Sequence, residues 1–262
     1  MKKLRFTLLL SFSLLIVLSA CSGKGAPAQK QEKSELTISA AASLNDALKE
    51  IKTTFEKEHK NIQLSINLGG TGALQQQIIQ GAPVDVFISA AKDKFEDLIQ
   101  KGLIKREDSK DLLGNQLVLI TLKSHSVIQS FSDLSDKRVS RIAIGTPETV
   151  PAGMYAKQTL QKYKLWDKLS PKLILAKDVR QVLTYVETKS VDAGIVYLTD
   201  AKISNKVNII ETASKNTHNP IIYPAGIIKE TKHHKEAAIF MDFLRSAPAQ
   251  KTFEKYGFKV LD

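Results

Sequence analysis

Residues 36–68 read LTISAAASLNDALKEIKTTFEKEHKNIQLSINL, and this stretch decides the fold class. The short apolar runs at 36–42 and 62–68 are typical of β-strands. The segment between them is amphipathic. Its apolar residues recur at the spacing of one helical face, namely Leu44, Ala47, Leu48, Ile51 and Phe55. A strand, a helix and a second strand in this order are the repeating unit of an α/β protein.

The same alternation continues along the rest of the chain. Further strands are predicted at 84–89, 117–122, 141–145, 172–176, 193–198, 207–210 and 221–228. Between two of these strands the helical spacing recurs at Val179, Val182, Leu183 and Val186, which are therefore predicted to be core residues. We expect an α/β fold in which mostly parallel sheets are flanked by helices.

Composition excludes some classes of protein. The 262 residues include 38 Lys and Arg against 27 Asp and Glu, a formal net charge of +11, and 43% of the chain is apolar. That apolar content supports a packed core and excludes a disordered chain. The basic residues are spread singly, without an Arg-rich run or interleaved aromatic residues. The charge therefore predicts weak steering toward anionic solutes and argues against a nucleic-acid partner.

The N-terminus has the pattern of a secretion signal. MKKLR is a basic start, residues 6–20 form an apolar run too short to span a membrane, and Cys21 follows directly. The small residues before Cys21 resemble the lipobox of bacterial lipoproteins, which implies a lipid anchor on the Cys21 thiol. We predict a signal peptide at 1–20 and a flexible tether at 21–35; the alternative is an ordinary signal peptide with an incidental cysteine. Because Cys21 is the only cysteine, an internal disulfide and a multi-thiolate zinc site are excluded.

Two hydroxyl residues follow the first two predicted strands. Ser43 comes directly after the strand at 36–42, and Thr71 lies within GGTG at 69–72. In open α/β sheets, ligands bind at this edge, where helix N-termini present unpaired N–H groups. Each segment also has a plainer interpretation. Ser43, with Asp46 three residues later, could simply cap its helix, and GGTG could be a tight turn. GGTG is not a Walker loop, because the Lys after the last glycine is absent.

Three further donors lie near the ends of later strands. Pro151 suits the first turn of a helix, which would make the Ala152 N–H available to a ligand. Asp178 is a predicted N-cap with the Val179 N–H next to it, and Tyr197 places a phenol at the end of a buried strand. All the candidate groups are neutral N–H or O–H donors. Such a set suits an oxyanion that carries no proton, sulfate-like or molybdate-like, because a buried acceptor would repel it.

Several stretches together are specific to one family. They are AASL at 41–44, GAPVDVFISA at 81–90, VPAGMYAK at 150–157, GIVY at 194–197 and KYGF at 255–258. In this order they resemble the periplasmic molybdate-binding proteins of ABC importers, and the resemblance covers nearly all of residues 36–262. It implies a two-lobed, type II binding-protein fold with lobe I at 36–116 and 225–262, lobe II at 117–224, and the ligand in the cleft between them.

The resemblance also implies a function. The chain would be a monomer that binds molybdate or tungstate and delivers it to the membrane permease. It would need no cofactor, and the only metal at the site would be the molybdenum or tungsten of the oxyanion itself. The ligand residues of the family correspond by position to Ser43, Thr71, Ala152, Val179 and Tyr197. The second hydroxyl is often Ser in the family, and the extra methyl group of Thr71 leaves the cavity size open. Selectivity depends on that size, because molybdate and sulfate carry the same charge.

Other functions remain as alternatives. A hydrolytic enzyme is disfavoured, because no histidine has metal-ligand spacing, no Gly-x-Ser-x-Gly elbow occurs, and Glu107-Asp108 lies in charged, loop-like sequence. His233 and His234 are expected in a loop or at an exposed helix start, and Trp166 is expected to pack rather than to bind a sugar. The same fold could instead bind sulfate, thiosulfate, phosphate or a small organic anion, or could serve as a sensor.

Overall fold

The computed structural model describes residues 33–124 and 127–261. The predicted signal peptide, Cys21, the tether up to residue 32 and His125 lie outside the described residues. Within the described ranges, no helix is long and apolar enough to cross a membrane. The first strand, β1, spans Ser34–Ala41. Ser34 and Glu35, which the sequence analysis placed in the tether, therefore belong to this strand.

Lobe I surrounds a six-stranded sheet with the strand order β11-β4-β10-β3-β1-β2. Its other strands are β2 (Ile62–Gly69), β3 (Val86–Ile88), β4 (Ile104–Gly114), β10 (Ile222–Ile228) and β11 (Lys259–Val260). Its helices are α1 (Asn45–Glu58), α2 (Thr71–Ile79), α3 (Lys92–Gln100), α8 (His234–Leu244) and α9 (Ala247–Lys255). A 3₁₀ turn at Ala42–Leu44 joins β1 to α1.

Lobe II surrounds a five-stranded sheet with the order β7-β6-β8-β5-β9. Its strands are β5 (Leu117–Leu122), β6 (Ile142–Gly145), β7 (Leu173–Ala176), β8 (Ala193–Tyr197) and β9 (Val207–Thr212). Its helices are α4 (Pro151–Lys162), α5 (Trp166–Leu169), α6 (Val179–Glu187) and α7 (Leu198–Lys202). Short 3₁₀ turns lie at Phe131–Ser135 and Ser170–Lys172.

Both sheets are mixed. Strand β1 runs parallel to β2 and β3, and β6 runs parallel to β7 and β8. The strands next to the lobe crossings are antiparallel to their neighbours, namely β10 to β3 and β4, and β5 to β8 and β9. The α/β class with two sheets flanked by helices is confirmed. The sheets are less parallel than predicted because the crossing strands run against the others.

The chain crosses between the lobes twice. Strand β4 ends at Gly114 in the first sheet and β5 begins at Leu117 in the second, so one crossing lies at Asn115-Gln116. The return lies between Thr212 and Ile222. Residues 222–224, assigned to lobe II on sequence, are thus strand residues of lobe I. A register shift at Pro224 accommodates its missing N–H within the strand.

Two strands were not predicted. Strand β4 contains Glu107 and Asp108, which the sequence analysis placed in a loop. The short strand β11 pairs only with the last residues of β4, so the charged part of β4 lies at an edge of the sheet. Charged side chains are normal on edge strands, which explains why no strand pattern is visible there.

The predicted apolar faces are buried. Ala47, Leu48, Ile51 and Phe55 of α1 are at most 1% exposed, and the predicted face of α6 is also in the core. The second half of strand β1, residues 38–41, is buried throughout. Because α1 and α6 pack rigidly on their own sheets, their N-terminal turns have fixed positions at the strand ends.

Candidate functional site

The five predicted ligand residues line one cavity. The cavity is small, and its walls come from both lobes. Lobe I contributes Ala41, Ala42, Ser43, Gly69, Gly70, Thr71 and Ala90, and lobe II contributes Val150, Pro151, Ala152, Val179 and Tyr197. A larger cavity of about 490 Å³ opens where the strands cross between the lobes, but it contains none of the five residues. The small cavity suits a ligand of a few atoms.

Ser43 lies in the 3₁₀ turn before α1 and is 3% exposed. Its hydroxyl does not cap the helix, so the capping-box interpretation is wrong. Instead, Ser43 Oγ lies 2.9 Å from the hydroxyl of Tyr223, a buried residue of β10. Helix α1 begins with a tight turn that needs no side-chain cap, which leaves the Ser43 hydroxyl at the cavity wall.

Thr71 is the first residue of α2 and is fully buried. Its Oγ1 accepts a hydrogen bond from the Ala90 N–H at 3.0 Å, so the hydroxyl hydrogen stays available to a ligand. The glycines beside it bring the lobes into backbone contact. Gly72 N donates to Thr149 O of lobe II at 2.9 Å. The glycine-rich segment is therefore a close approach between lobes rather than only a tight turn.

Ala152 and Val179 lie in the first turns of two helices of lobe II. As predicted, Pro151 is the first residue of α4, and the Asp178 side chain caps α6 by accepting from Gln181 N at 2.8 Å. N–H groups in the first turn have no carbonyl partner within their helix. The positive ends of two helix dipoles therefore meet the cavity, and they favour an anion.

Tyr197 ends strand β8 and is 1% exposed. Its hydroxyl is buried without a hydrogen-bond partner in the part of the chain that the structure describes. Burial raises the pKa of Tyr197 well above its usual value, so the hydroxyl keeps its hydrogen and can donate it. An unpaired buried hydroxyl is costly, which indicates a place prepared for a ligand acceptor.

Two residues beside the cavity were missed on sequence. Tyr223 contacts Ser43, and Asn115 Nδ2 lies 3.1 Å from the Tyr223 hydroxyl. These contacts join positions about one hundred or more residues apart, and no local pattern indicates them. Among the described residues, no group of His, Cys, Asp and Glu could hold a bare metal ion.

Arg180 ties the two lobes together next to the cavity. Its Nη2 lies 2.6 Å from Asp46 Oδ2 of α1 and donates to the Ser43 carbonyl at 3.4 Å. Its Nε lies 2.7 Å from Asp200 Oδ1 in α7, whose side chain is fully buried. Asp46, expected in a capping box with Ser43, thus serves an ion pair between lobes. Burial raises the pKa of Asp200 to about 7, although the Arg180 guanidinium opposes this.

This raised pKa predicts a pH-dependent stability. An unfolded Asp titrates near 3.8, so the Asp200 contribution is fully present below about pH 4 and is lost as the pH rises to about 7. Asp200→Asn cannot titrate, so its free energy of unfolding should rise relative to that of the unsubstituted protein by roughly 2–4 kcal/mol between pH 4 and pH 7. Urea unfolding of both proteins at pH 4, 5.5, 7 and 8 measures the difference. Parallel stability curves would show that Asp200 titrates normally.

Comparison with known proteins adds a second line of support. A family model described as bacterial extracellular solute-binding protein matches residues 36–259. A Bacillus subtilis protein with the provisional name of an ABC transporter substrate-binding lipoprotein, YvgL, is 51% identical over 95% of both chains. The molybdate-binding protein ModA of Escherichia coli is 37% identical over 87% of this chain and 90% of its own.

A solved structure shows the same architecture. The periplasmic molybdate-binding protein of Azotobacter vinelandii superposes with a TM-score of 0.79 at 26% identity, covering 87% of this chain and all of that one. Both lobes and the cleft between them are therefore shared with a protein whose name states its ligand.

Proposed function

The chain belongs to the bacterial extracellular solute-binding proteins, and from that premise we propose that it binds molybdate or tungstate in the cavity between its lobes. The observation that carries the proposal is the donor set, in which the Ser43 and Thr71 hydroxyls, two helix N-termini and the unpaired Tyr197 hydroxyl line one small cavity. None of these groups is a carboxylate, so none of them presents a negatively charged acceptor to the ligand. Fully deprotonated dianions fit this arrangement better than protonated phosphate.

The choice of molybdate and tungstate over sulfate needs a separate argument. Molybdate, tungstate and sulfate are all tetrahedral dianions, so neutral donors alone do not separate them. Molybdate and tungstate have longer bonds to oxygen than sulfate, and donors fixed by two rigid lobes can match only one size well. The named ligands of the relatives support molybdate.

The carrier role follows from the family and not from the cavity. The ligand would be delivered to the membrane permease of an ABC importer, by a monomer that needs no cofactor and performs no catalysis. The name of the Bacillus relative supports an extracytoplasmic lipoprotein, with Cys21 as the proposed lipid attachment site. Two acyl chains on that cysteine would hold the protein at the cell membrane.

Titration calorimetry tests the ligand directly. The purified protein, first dialysed free of bound oxyanion, is titrated with molybdate, tungstate, sulfate and hydrogen phosphate in turn. We expect tight binding of the first two and much weaker or undetectable binding of the others. Equal or preferred binding of sulfate would overturn the named ligand but leave the anion site. No heat from any of the four anions would contradict the proposed function.

A further inference from the structure

The Ser43 hydroxyl is the end of a series of hydrogen bonds that runs from Gln116 N through Asn115 and Tyr223. Each member donates to the next one or accepts from it in a fixed sense. We propose that Asn115 and Tyr223 are positioning residues that force the Ser43 hydroxyl to donate into the cavity, and so make the site selective for oxyanions without a proton. The inference rests on the proposed function, since it concerns how the same site distinguishes its ligands. Neither residue lines the cavity.

A backbone donor determines the orientation of the Asn115 side-chain amide. Gln116 N lies 2.8 Å from Asn115 Oδ1, and a backbone N–H can only donate. The atom that accepts it must therefore be the oxygen of the amide, which settles the assignment of its two ends. The Asn115 nitrogen then faces Tyr223 Oη at 3.1 Å and Thr199 Oγ1 at 2.9 Å.

The second step fixes the Tyr223 hydroxyl. The Asn115 NH₂ group can only donate, so Tyr223 Oη accepts from it. Burial raises the pKa of Tyr223 well above its usual value, and the phenol keeps its single hydrogen. We assign that hydrogen to Ser43 Oγ, 2.9 Å away, since the Asn115 nitrogen already donates to the phenol oxygen.

The third step fixes Ser43 itself. Because Ser43 Oγ accepts from Tyr223, its own hydrogen is left for a ligand in the cavity. Thr71 is set in the same way, since Oγ1 accepts from the Ala90 N–H. Both hydroxyls of lobe I thus offer hydrogen, and a protonated oxyanion would place its O–H against a donor. The hydrogen-bond chain supplies the selectivity that neutral hydroxyls by themselves would lack.

A double-mutant cycle measures this coupling. Asn115→Asp keeps the shape of the side chain but replaces the donor with an acceptor, which draws the Tyr223 hydrogen away from Ser43. Ser43 then supplies the only hydrogen for its contact with Tyr223, so turning that hydrogen into the cavity leaves the lone pairs of two oxygens facing each other across 2.9 Å. We expect molybdate affinity to fall roughly tenfold or more. In the Tyr223→Phe background the same change acts only through its charge, and we expect a loss of no more than about threefold.

Calorimetry on the unsubstituted protein, both single variants and the double variant gives four dissociation constants. Asn115→Leu in the same two backgrounds removes the donor without adding charge, and circular dichroism and thermal unfolding check that each variant is folded. Should Asn115→Asp not fold, the Leu cycle decides, with a loss of a few-fold expected only when Tyr223 is present. Equal losses in both backgrounds would overturn the positioning role. Failure of the unsubstituted protein to bind molybdate would instead overturn the proposed function.

Discussion

Replacing Tyr197 with Phe should weaken molybdate binding by roughly 1.5–3 kcal/mol, which is about 10-fold to 150-fold, because one hydrogen bond to a charged ligand is lost. The same change removes a buried hydroxyl that has no partner among the described residues. The ligand-free protein should therefore be as stable as before, or more stable. Opposite effects on binding and stability distinguish a ligand group from a structural one.

Calorimetry gives the affinity and thermal unfolding without ligand gives the stability. Tyr185→Phe is the matched control, since Tyr185 is a partly buried residue of α6 outside the cavity. We expect this control to bind molybdate normally. Unchanged affinity in Tyr197→Phe would remove Tyr197 from the site.

Replacing Gly72 with Ala should prevent full closure of the cleft. A Cβ at Gly72 would lie 2.9 Å from Thr149 Cα and 3.0 Å from Thr149 O, which are backbone atoms of the other lobe. Overpacking of this kind costs about 1–3 kcal/mol, so binding should weaken about 5-fold to 150-fold. Within α2, however, Ala is a better helix former than Gly by up to about 1 kcal/mol. Apart from the contact with Thr149, the substitution should therefore leave the stability of lobe I unchanged or raise it.

Calorimetry with molybdate and small-angle scattering with and without ligand measure the effect. Gln76→Ala is the control in the same helix, because Gln76 is an exposed residue of α2 and does not line the cavity. The control should bind and contract as the unsubstituted protein does. If Gly72→Ala binds molybdate equally well, the contact with Thr149 is not needed for the ligand-bound state.

Much of this fold could be predicted because its strands are short, apolar and separated by strongly periodic helices. Strand β5 has the predicted limits, and the buried face of α1 matches the predicted residues. Strand β4 could not be predicted, because its charged residues 105–108 lie at a sheet edge and in a register shift between Ile104 and Ser109, the flanking residues that pair with β10. A strand is recognised in a sequence by its buried apolar residues, and the charged part of β4 is not buried.

The site shows the same division. The structure places all five expected residues around one cavity, because strand ends and helix starts can be read locally. Its supporting shell could not be predicted, since Tyr223 and Arg180 reach Ser43 across 180 and 137 residues. The capping box failed for a related reason. Asp46 satisfies a cation of the other lobe, and a local motif cannot show such a partner.

In the proposed complex, a molybdate ion lies between the lobes and contacts these five residues. Crystals of the molybdate-bound protein, measured on both sides of the molybdenum absorption edge, locate the metal by its anomalous signal. We predict a single peak inside the cavity, with ligand oxygens within hydrogen-bond distance of the hydroxyls of Ser43, Thr71 and Tyr197. A peak outside this cavity, in crystals of protein that binds molybdate in solution, would contradict this binding site.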